Sequence, residues 1–119
     1  MLIQADDTAR AIKFYSQVFD WQFIKEEAFP IDYWRIEMAG IYGGLLGRPA
    51  KTPGMGFGTN AYVCSVKVDS FDAISEKILQ NGGQVAMDKF AVPGRCYQGY
   101  FLDLEGNTFG VFEVDETAA

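Results

Sequence analysis

The stretch Asp7-Thr8-Ala9-Arg10-Ala11-Ile12 decides the fold, because a similar stretch, Asp69-Ser70-Phe71-Asp72-Ala73-Ile74, occurs again about half a chain length later. Outward from both stretches, a helical pattern followed by a strand pattern also repeats, and Gln22-Phe23 corresponds to Gln84-Val85. A repeat of this length is typical of two similar modules that pack against each other. The sequence therefore predicts an internally duplicated α+β fold.

The first module is predicted to span residues 1–46 and to contain a strand, a helix and three further strands. Asp7 or Thr8 is suited to cap the helix, which is predicted to end near Asp20. The clearest strand covers residues 32–39, where side chains alternate between two faces. One face carries Trp34, Ile36 and Met38, and the other carries Tyr33, Arg35 and Glu37.

The second module, residues 60–114, is predicted to repeat this order after a linker, residues 47–59, that is rich in glycine and proline. Asp69 or Ser70 is suited to cap its helix, and Asn81-Gly82-Gly83 is typical of a helix end. Its strands are predicted over residues 60–68, 84–90, 97–103 and 108–114. Each module has a single helix, so one face of each sheet needs another surface to cover it.

The composition indicates a globular protein and excludes several functions. The chain has 119 residues, of which 49% are hydrophobic, and this predicts one domain over residues 1–119. Its net charge of −6 argues against nucleic-acid binding and favours a cationic ligand over an anionic one. The last residues, 115–119, are predicted to form an acidic tail in solvent. The sequence contains neither a membrane-spanning apolar run nor a signal-peptide pattern at its start, so we expect no membrane contact and a cytoplasmic location.

The sequence contains no histidine. This absence removes both the commonest metal ligand of proteins and their commonest proton shuttle. The two cysteines, Cys64 and Cys96, do not form a Cys-x-x-Cys motif, and we expect both to be reduced. Acid–base chemistry would then depend on a carboxylate, a tyrosine or a thiol with a shifted pKa.

Four stretches of the chain carry a family resemblance: residues 7–21, 43–45, 77–83 and 100–113. In their order and spacing they resemble the vicinal oxygen chelate superfamily, also called the glyoxalase/bleomycin-resistance/dioxygenase fold. The resemblance covers nearly the whole chain. It implies two βαβββ modules whose mostly antiparallel sheets curl into an open cup. It also implies a homodimer, in which the partner often completes the cup.

The resemblance implies a divalent metal ion in the cup of the metal-dependent members, held by histidine, glutamine and glutamate side chains. One of the matching positions would precede Met1. The others lie at Gly44 or Leu45, at Val63 or Tyr62, and at Gly110. None of these residues offers a donor that zinc or iron prefers. We therefore expect no metal ion and no cofactor. The alternative is an all-oxygen magnesium or manganese site, for which Glu37 is the only plausible carboxylate on the cup face.

Without a metal ion, the cup is expected to be a mostly apolar pocket with a few polar anchors. Strand alternation, counted from the matched positions, selects its lining. The predicted ligand-binding residues are Gln4, Tyr33, Arg35, Glu37, Val63, Ser65, Gly110 and Phe112. Glu37 is also the candidate catalytic carboxylate. An equally strong interpretation of Arg35 and Glu37 is a solvent-facing ion pair.

Three functions fit this pattern. The first is metal-independent binding of a small, largely apolar molecule, with a preference for a cation, and it resembles the antibiotic-sequestering members of the family. The alternative is a glyoxalase-like lyase or isomerase that uses carboxylates as a base or as metal ligands. The third is a structural or regulatory dimer whose cup is filled by its own aromatic side chains.

Overall fold

The computed structural model describes residues 1–37, 43–48 and 63–119. Within these residues each module contains one helix and four strands, and this confirms the predicted α+β fold of two βαβββ modules. The first module consists of β1 (Leu2–Ala5), α1 (Thr8–Phe19), β2 (Gln22–Lys25), β3 (Tyr33–Glu37) and β4 (Gly43–Gly47). The second consists of β5 (Ser65–Lys67), α2 (Phe71–Gln80), β6 (Gln84–Val92), β7 (Cys96–Leu102) and β8 (Thr108–Val114).

The two sheets have the same topology, with strand orders β1-β4-β3-β2 and β5-β8-β7-β6. In each sheet the first and last strands of the module are parallel, and the other neighbours are antiparallel. Leu2 lies opposite Gly44 in one sheet, and Ser65 lies opposite Gly110 in the other. Gly44 and Gly110 therefore occupy equivalent positions in the two modules.

Side-chain caps fix where both helices begin. The Asp7 carboxylate accepts a hydrogen bond from the Arg10 amide at 3.0 Å, and the Ser70 hydroxyl accepts one from the Ala73 amide at 3.2 Å. The capping residues are thus Asp7 and Ser70. Equivalent positions of the two modules are therefore one residue further apart than the sequence match of Asp7 with Asp69 indicates. Helix α1 ends at Asp20, which has a left-handed φ of 58°.

One hydrophobic core joins the two modules. Phe14 and Val18 of α1, Ile36 and Leu45 of the first sheet, and Phe101 and Val111 of the second are each at most 3% exposed and form one cluster. The Phe14 and Phe109 rings meet edge to face at 6.2 Å across the module boundary. Full burial of each large apolar side chain contributes about 1.5–3 kcal/mol, so the modules stabilise each other.

A buried polar contact lies beside this core. The Tyr15 hydroxyl donates to the Asp103 carboxylate at 2.6 Å, and both residues are buried. Burial, together with the negative charge of Asp103, raises the pKa of Tyr15 well above its usual value of 10. Tyr15 therefore keeps its proton and acts as a hydrogen-bond donor that links α1 to the β7–β8 hairpin.

A second contact between the modules centres on Glu105, whose side chain is fully buried. Its carboxylate accepts hydrogen bonds from the Asp7 amide at 2.9 Å and from Arg10 Nε at 2.6 Å. Arg48 Nη2 donates to the Glu105 carbonyl oxygen at 2.7 Å. The modules therefore dock within one chain through specific polar groups as well as through apolar packing.

The C-terminal residues contact the β6–β7 turn through their backbone. Ala118 is only 4% exposed, and its carbonyl oxygen accepts a hydrogen bond from the Gly94 amide at 2.9 Å. The Asp115 amide donates to the Arg95 carbonyl oxygen at 2.9 Å. The chain beyond β8 thus folds back onto the β6–β7 turn, while the Glu116 side chain is exposed to solvent as its charge predicts.

Several sequence predictions fall outside the described residues. These are Met38 of the predicted strand over residues 32–39, Ala61 and Tyr62 of the predicted strand over residues 60–68, and most of the predicted linker, residues 49–59. The described part of that linker begins with Gly47, which is the last residue of β4. Neither of the helices in the described residues is long and apolar enough to cross a membrane.

Candidate functional site

The helices cover one face of each sheet and leave the other face open. Along β1, Ile3 is 8% exposed, whereas its neighbour Leu2 is 63% exposed. Along β8, Phe109 and Val111 point into the core, whereas Thr108 and Phe112 are more exposed. We call the face that carries Leu2 and Phe112 the open face. It is the face on which strand alternation predicts the ligand-binding residues.

The structure places the predicted site residues in two groups, one on each sheet. On the first sheet, Gln4 lies opposite Leu46, which in turn lies opposite Tyr33. On the second sheet, Ser65 lies directly opposite Gly110. Phe112 shares the face of Gly110, two residues further along β8, and Val63, 45% exposed, immediately precedes Cys64 and β5.

The charged residues of the first sheet form a surface ion-pair cluster. Arg35 lies 3.4 Å from the Glu26 carboxylate and 3.5 Å from the Glu37 carboxylate. The Arg35 and Glu37 side chains are each about half exposed. Pairs of this kind contribute roughly 0–1 kcal/mol. This geometry matches the solvent-facing interpretation of Arg35 and Glu37 and adds Glu26, which alternation along β2 could have indicated.

Tyr33 covers the backbone at Gly44. A Cβ atom added to Gly44 would collide with the hydroxyl group of Tyr33. The Tyr33 ring therefore lies over this glycine. The Tyr33 ring also contacts the Phe29 ring, with centroids 5.0 Å apart. The space in which a side chain at position 44 would extend is thus filled by a phenol.

Asp32 fixes the start of β3 next to Tyr33. Its carboxylate accepts hydrogen bonds from the Thr8 hydroxyl at 2.7 Å, from Lys25 Nζ at 2.9 Å and from Trp34 Nε1 at 2.9 Å. These donors, Thr8 first, lower the pKa of Asp32. The strand end that carries Tyr33 is therefore anchored to both α1 and β2.

In the second module, Gly110 is covered by side chains in the same way as Gly44 in the first. A Cβ atom there would collide with the Ser65 hydroxyl and would lie 3.0 Å from the Tyr100 ring. Ser65 reaches this position from β5, and Tyr100 reaches it from β7, where it pairs with Gly110. Two side chains that bear hydroxyl groups therefore meet over one glycine.

Gln98 connects these two hydroxyl groups. Its Nε2 atom donates to Ser65 Oγ at 3.0 Å and to the Tyr100 hydroxyl at 3.2 Å. The Phe90 ring of β6 stacks beside Tyr100, with ring centroids 6.4 Å apart. Sequence reasoning missed Gln98 and Tyr100, although alternation along β7 opposite Gly110 and Phe112 was a signal that could have identified them.

The residues present do not fit the metal ion that the family resemblance implies. Gly44, Val63 and Gly110 carry no donor atom in their side chains, and the space above both glycines is taken by neighbouring side chains. In the part of the chain that the structure describes, no group of three or more cysteine, aspartate and glutamate side chains could hold a metal ion. Zinc and iron sites require such a convergence of donors.

The duplicated topology and the covered glycines define a class of small α+β protein built from paired βαβββ modules with an open sheet face. The chain belongs to the Glyoxalase/Bleomycin resistance protein/Dioxygenase superfamily, whose sequence profile matches residues 1–111. This confirms the family resemblance that the sequence motifs indicate.

The chain is similar in sequence to two curated relatives and similar in fold to several solved structures. The chain is 27% identical over 118 residues to "Putative glyoxylase CFP32" of Mycobacterium tuberculosis and of Mycobacterium bovis, covering 95% of this chain and 44% of those proteins. The chain therefore spans less than half the length of these relatives. A Burkholderia phytofirmans enzyme of the glyoxalase/bleomycin resistance protein/dioxygenase family superposes with a TM-score of 0.78 at 20% identity, covering 97% of this chain and 96% of the other. The Listeria monocytogenes fosfomycin resistance protein FosX gives 0.72 at 15% identity, covering 92% and 84%.

Proposed function

We propose that this chain binds a small, largely apolar molecule on its open face without a metal ion. The observation that carries the proposal is the Ser65–Gln98–Tyr100 hydrogen-bond network, which lies on an otherwise mostly apolar surface. Met87 and Phe90 beside it are 53% and 38% exposed. A few ordered polar groups among apolar side chains are the usual composition of a small-molecule site.

The covered glycines support binding without a metal ion. Both equivalent positions, Gly44 and Gly110, lie beneath tyrosine or serine side chains rather than bearing ligands themselves. Hydroxyl groups at these positions can orient a ligand by hydrogen bonds and leave no donor set for zinc or iron. Sequestration of a small molecule needs only such orientation and apolar contact.

The proposal is tested by mapping fragment binding onto the protein by NMR. The probes are indole, phenylacetate and phenethylammonium, which share an aromatic ring and differ in charge. At least one probe is expected to shift the backbone amides of Ser65, Gln98 and Gly110 in a saturable manner. Shifts confined to the helix side of the sheets, or none with any probe, would contradict binding on the open face.

A glyoxalase-like lyase or isomerase is the second candidate. The relatives named as glyoxylases favour it, since they match 95% of this chain. Glu37 would be the base, and Arg35 beside it would stabilise a developing negative charge. The test is turnover of a hemithioacetal. Turnover that is lost in Glu37→Gln but retained in Glu76→Gln, a control at an exposed position of α2, would establish this activity.

We further propose that two copies of the chain associate in the cytoplasm. Large apolar side chains remain exposed on both sheets: Leu2 is 63%, Val114 is 54% and Met87 is 53% exposed. Exposed apolar surface of this kind commonly marks a contact with another molecule. Sedimentation at micromolar concentration is expected to give a dimer, and a monomer under these conditions would exclude this assembly.

A further inference from the structure

We propose that the hydroxyl groups of Ser65 and Tyr100 form a two-donor site for an anionic oxygen of the ligand, such as a carboxylate oxygen. This inference rests on the proposed function, because it names the chemical group that the open face recognises. It reverses the preference for a cation that the net charge of −6 predicts. The reasons are the direction of the hydrogen bonds around Gln98 and the local charge of the second sheet.

The hydrogen bonds of Gln98 leave both hydroxyl protons available. An amide nitrogen carries two hydrogens and accepts no hydrogen bond. Gln98 Nε2 donates to Ser65 Oγ at 3.0 Å and to the Tyr100 hydroxyl at 3.2 Å, so both hydroxyl oxygens act as acceptors toward Gln98. Each hydroxyl group can then direct its own hydrogen toward a ligand.

Gly110 brings the two donors together. The Ser65 side chain and the Tyr100 ring both lie over this glycine, where a side chain at position 110 would collide with them. The bonds to Gln98 hold the two hydroxyl groups in place before any ligand arrives. Two donors that are ordered in advance suit a charged acceptor, since hydrogen bonds to ionised groups are about twice as strong as those between neutral groups.

The register-paired positions of this face carry one cation and no carboxylate. Register places Lys67 on the open face, opposite Phe112, which is opposite Gln98 on the next strand. Among the described residues that have register partners on this face of the second sheet, Lys67 is the one charged side chain. Its ammonium group has no ion-pair partner within 4.0 Å in the described part of the chain. An anion bound near Ser65 would therefore be attracted by the Lys67 ammonium group. None of the register-paired positions of this face would place a carboxylate beside it.

The test compares phenylacetate with its neutral and cationic counterparts, phenylacetamide and phenethylammonium, by NMR titration. Phenylacetate is expected to shift the amides of Ser65, Gln98 and Gly110 and to bind at least about tenfold more tightly than either counterpart. Ser65→Ala and Tyr100→Phe are each expected to weaken phenylacetate binding by about tenfold. Tyr97→Phe is the matched control, because Tyr97 lies on the same strand but faces the helix side, where Lys89 Nζ lies 4.7 Å from its ring centroid.

The outcomes separate the two proposals. Phenethylammonium or phenylacetamide binding at the same amides as tightly as phenylacetate would overturn the anion site and leave the proposed function standing. Unchanged phenylacetate affinity in both Ser65→Ala and Tyr100→Phe would also overturn it. If no probe shifts any amide of the open face, both proposals fail. The two variants remove different hydroxyl groups. If one variant does not fold, the other still tests the anion site.

Discussion

At the scale of single residues, Tyr15 shows how one hydroxyl group couples the two modules. Its hydrogen bond to Asp103 spans the module boundary inside the core, at 2.6 Å. Tyr15→Phe keeps the ring contacts but removes the donor and leaves Asp103 with one partner fewer. We expect this change to lower the free energy of unfolding by about 1–3 kcal/mol. Urea unfolding at neutral pH measures this loss, and Tyr97→Phe, at a half-buried position, is the matched control.

The raised pKa of Tyr15 also predicts how stability changes with pH. In the native state burial and Asp103 hold the proton on Tyr15, whereas in the unfolded chain the phenol ionises near its usual pKa of 10. The contribution of Tyr15 to stability is therefore complete below pH 10 and decreases as the pH rises above it. Urea unfolding at successive pH values should show a shallower alkaline decrease for Tyr15→Phe than for the native protein. Equal slopes would contradict the raised pKa.

At the scale of elements, close contacts fix where α2 packs on the second sheet. A Cβ atom at Gly99 of β7 would lie 2.6 Å from the Phe71 ring of α2 and 3.3 Å from the Met87 carbonyl oxygen. Phe71 is only 3% exposed, so its ring has little freedom to move. Gly99→Ala is expected to cost about 1–3 kcal/mol of stability because it overpacks the core.

Gly44→Ala is the matched control for this prediction. The atom that its Cβ would meet is the hydroxyl end of Tyr33, a half-buried side chain that can rotate away. Gly44 itself is buried, but the group that must move is the far end of one side chain, so we expect this substitution to change stability by less than about 1 kcal/mol. Thermal unfolding of both variants compares the two positions. A larger loss for Gly44→Ala than for Gly99→Ala would contradict the packing of α2 described above.

At the scale of the whole molecule, the duplicated fold could be predicted because both modules carry their own local signals. The caps Asp7 and Ser70 and the alternation of Trp34 and Ile36 with Tyr33 and Arg35 depend on neighbouring residues only. Alternation also gave the open face, on which the predicted residues Gln4, Tyr33, Ser65 and Phe112 lie.

The features that sequence reasoning missed depend on contacts between distant segments. The Ser65–Gln98 hydrogen bond joins residues 33 positions apart, and the Tyr15–Asp103 bond joins residues 88 positions apart. The ordered C-terminal residues depend on the turn at Gly94 and Arg95 in the same way. Local patterns carry no information about such pairings. The hydrogen bonds of Gln98 with Ser65 and Tyr100, and the contacts of the C-terminal residues, therefore required the three-dimensional structure.

The open face is proposed to bind its ligand without a metal ion, and a metal titration is the sharpest test of this proposal. The strongest binder among indole, phenylacetate and phenethylammonium is titrated into protein dialysed against EDTA, and again after zinc or manganese is added. Binding through hydroxyl groups over Gly110 predicts the same dissociation constant in both titrations. Binding that disappears after dialysis and returns with either metal ion would contradict the account.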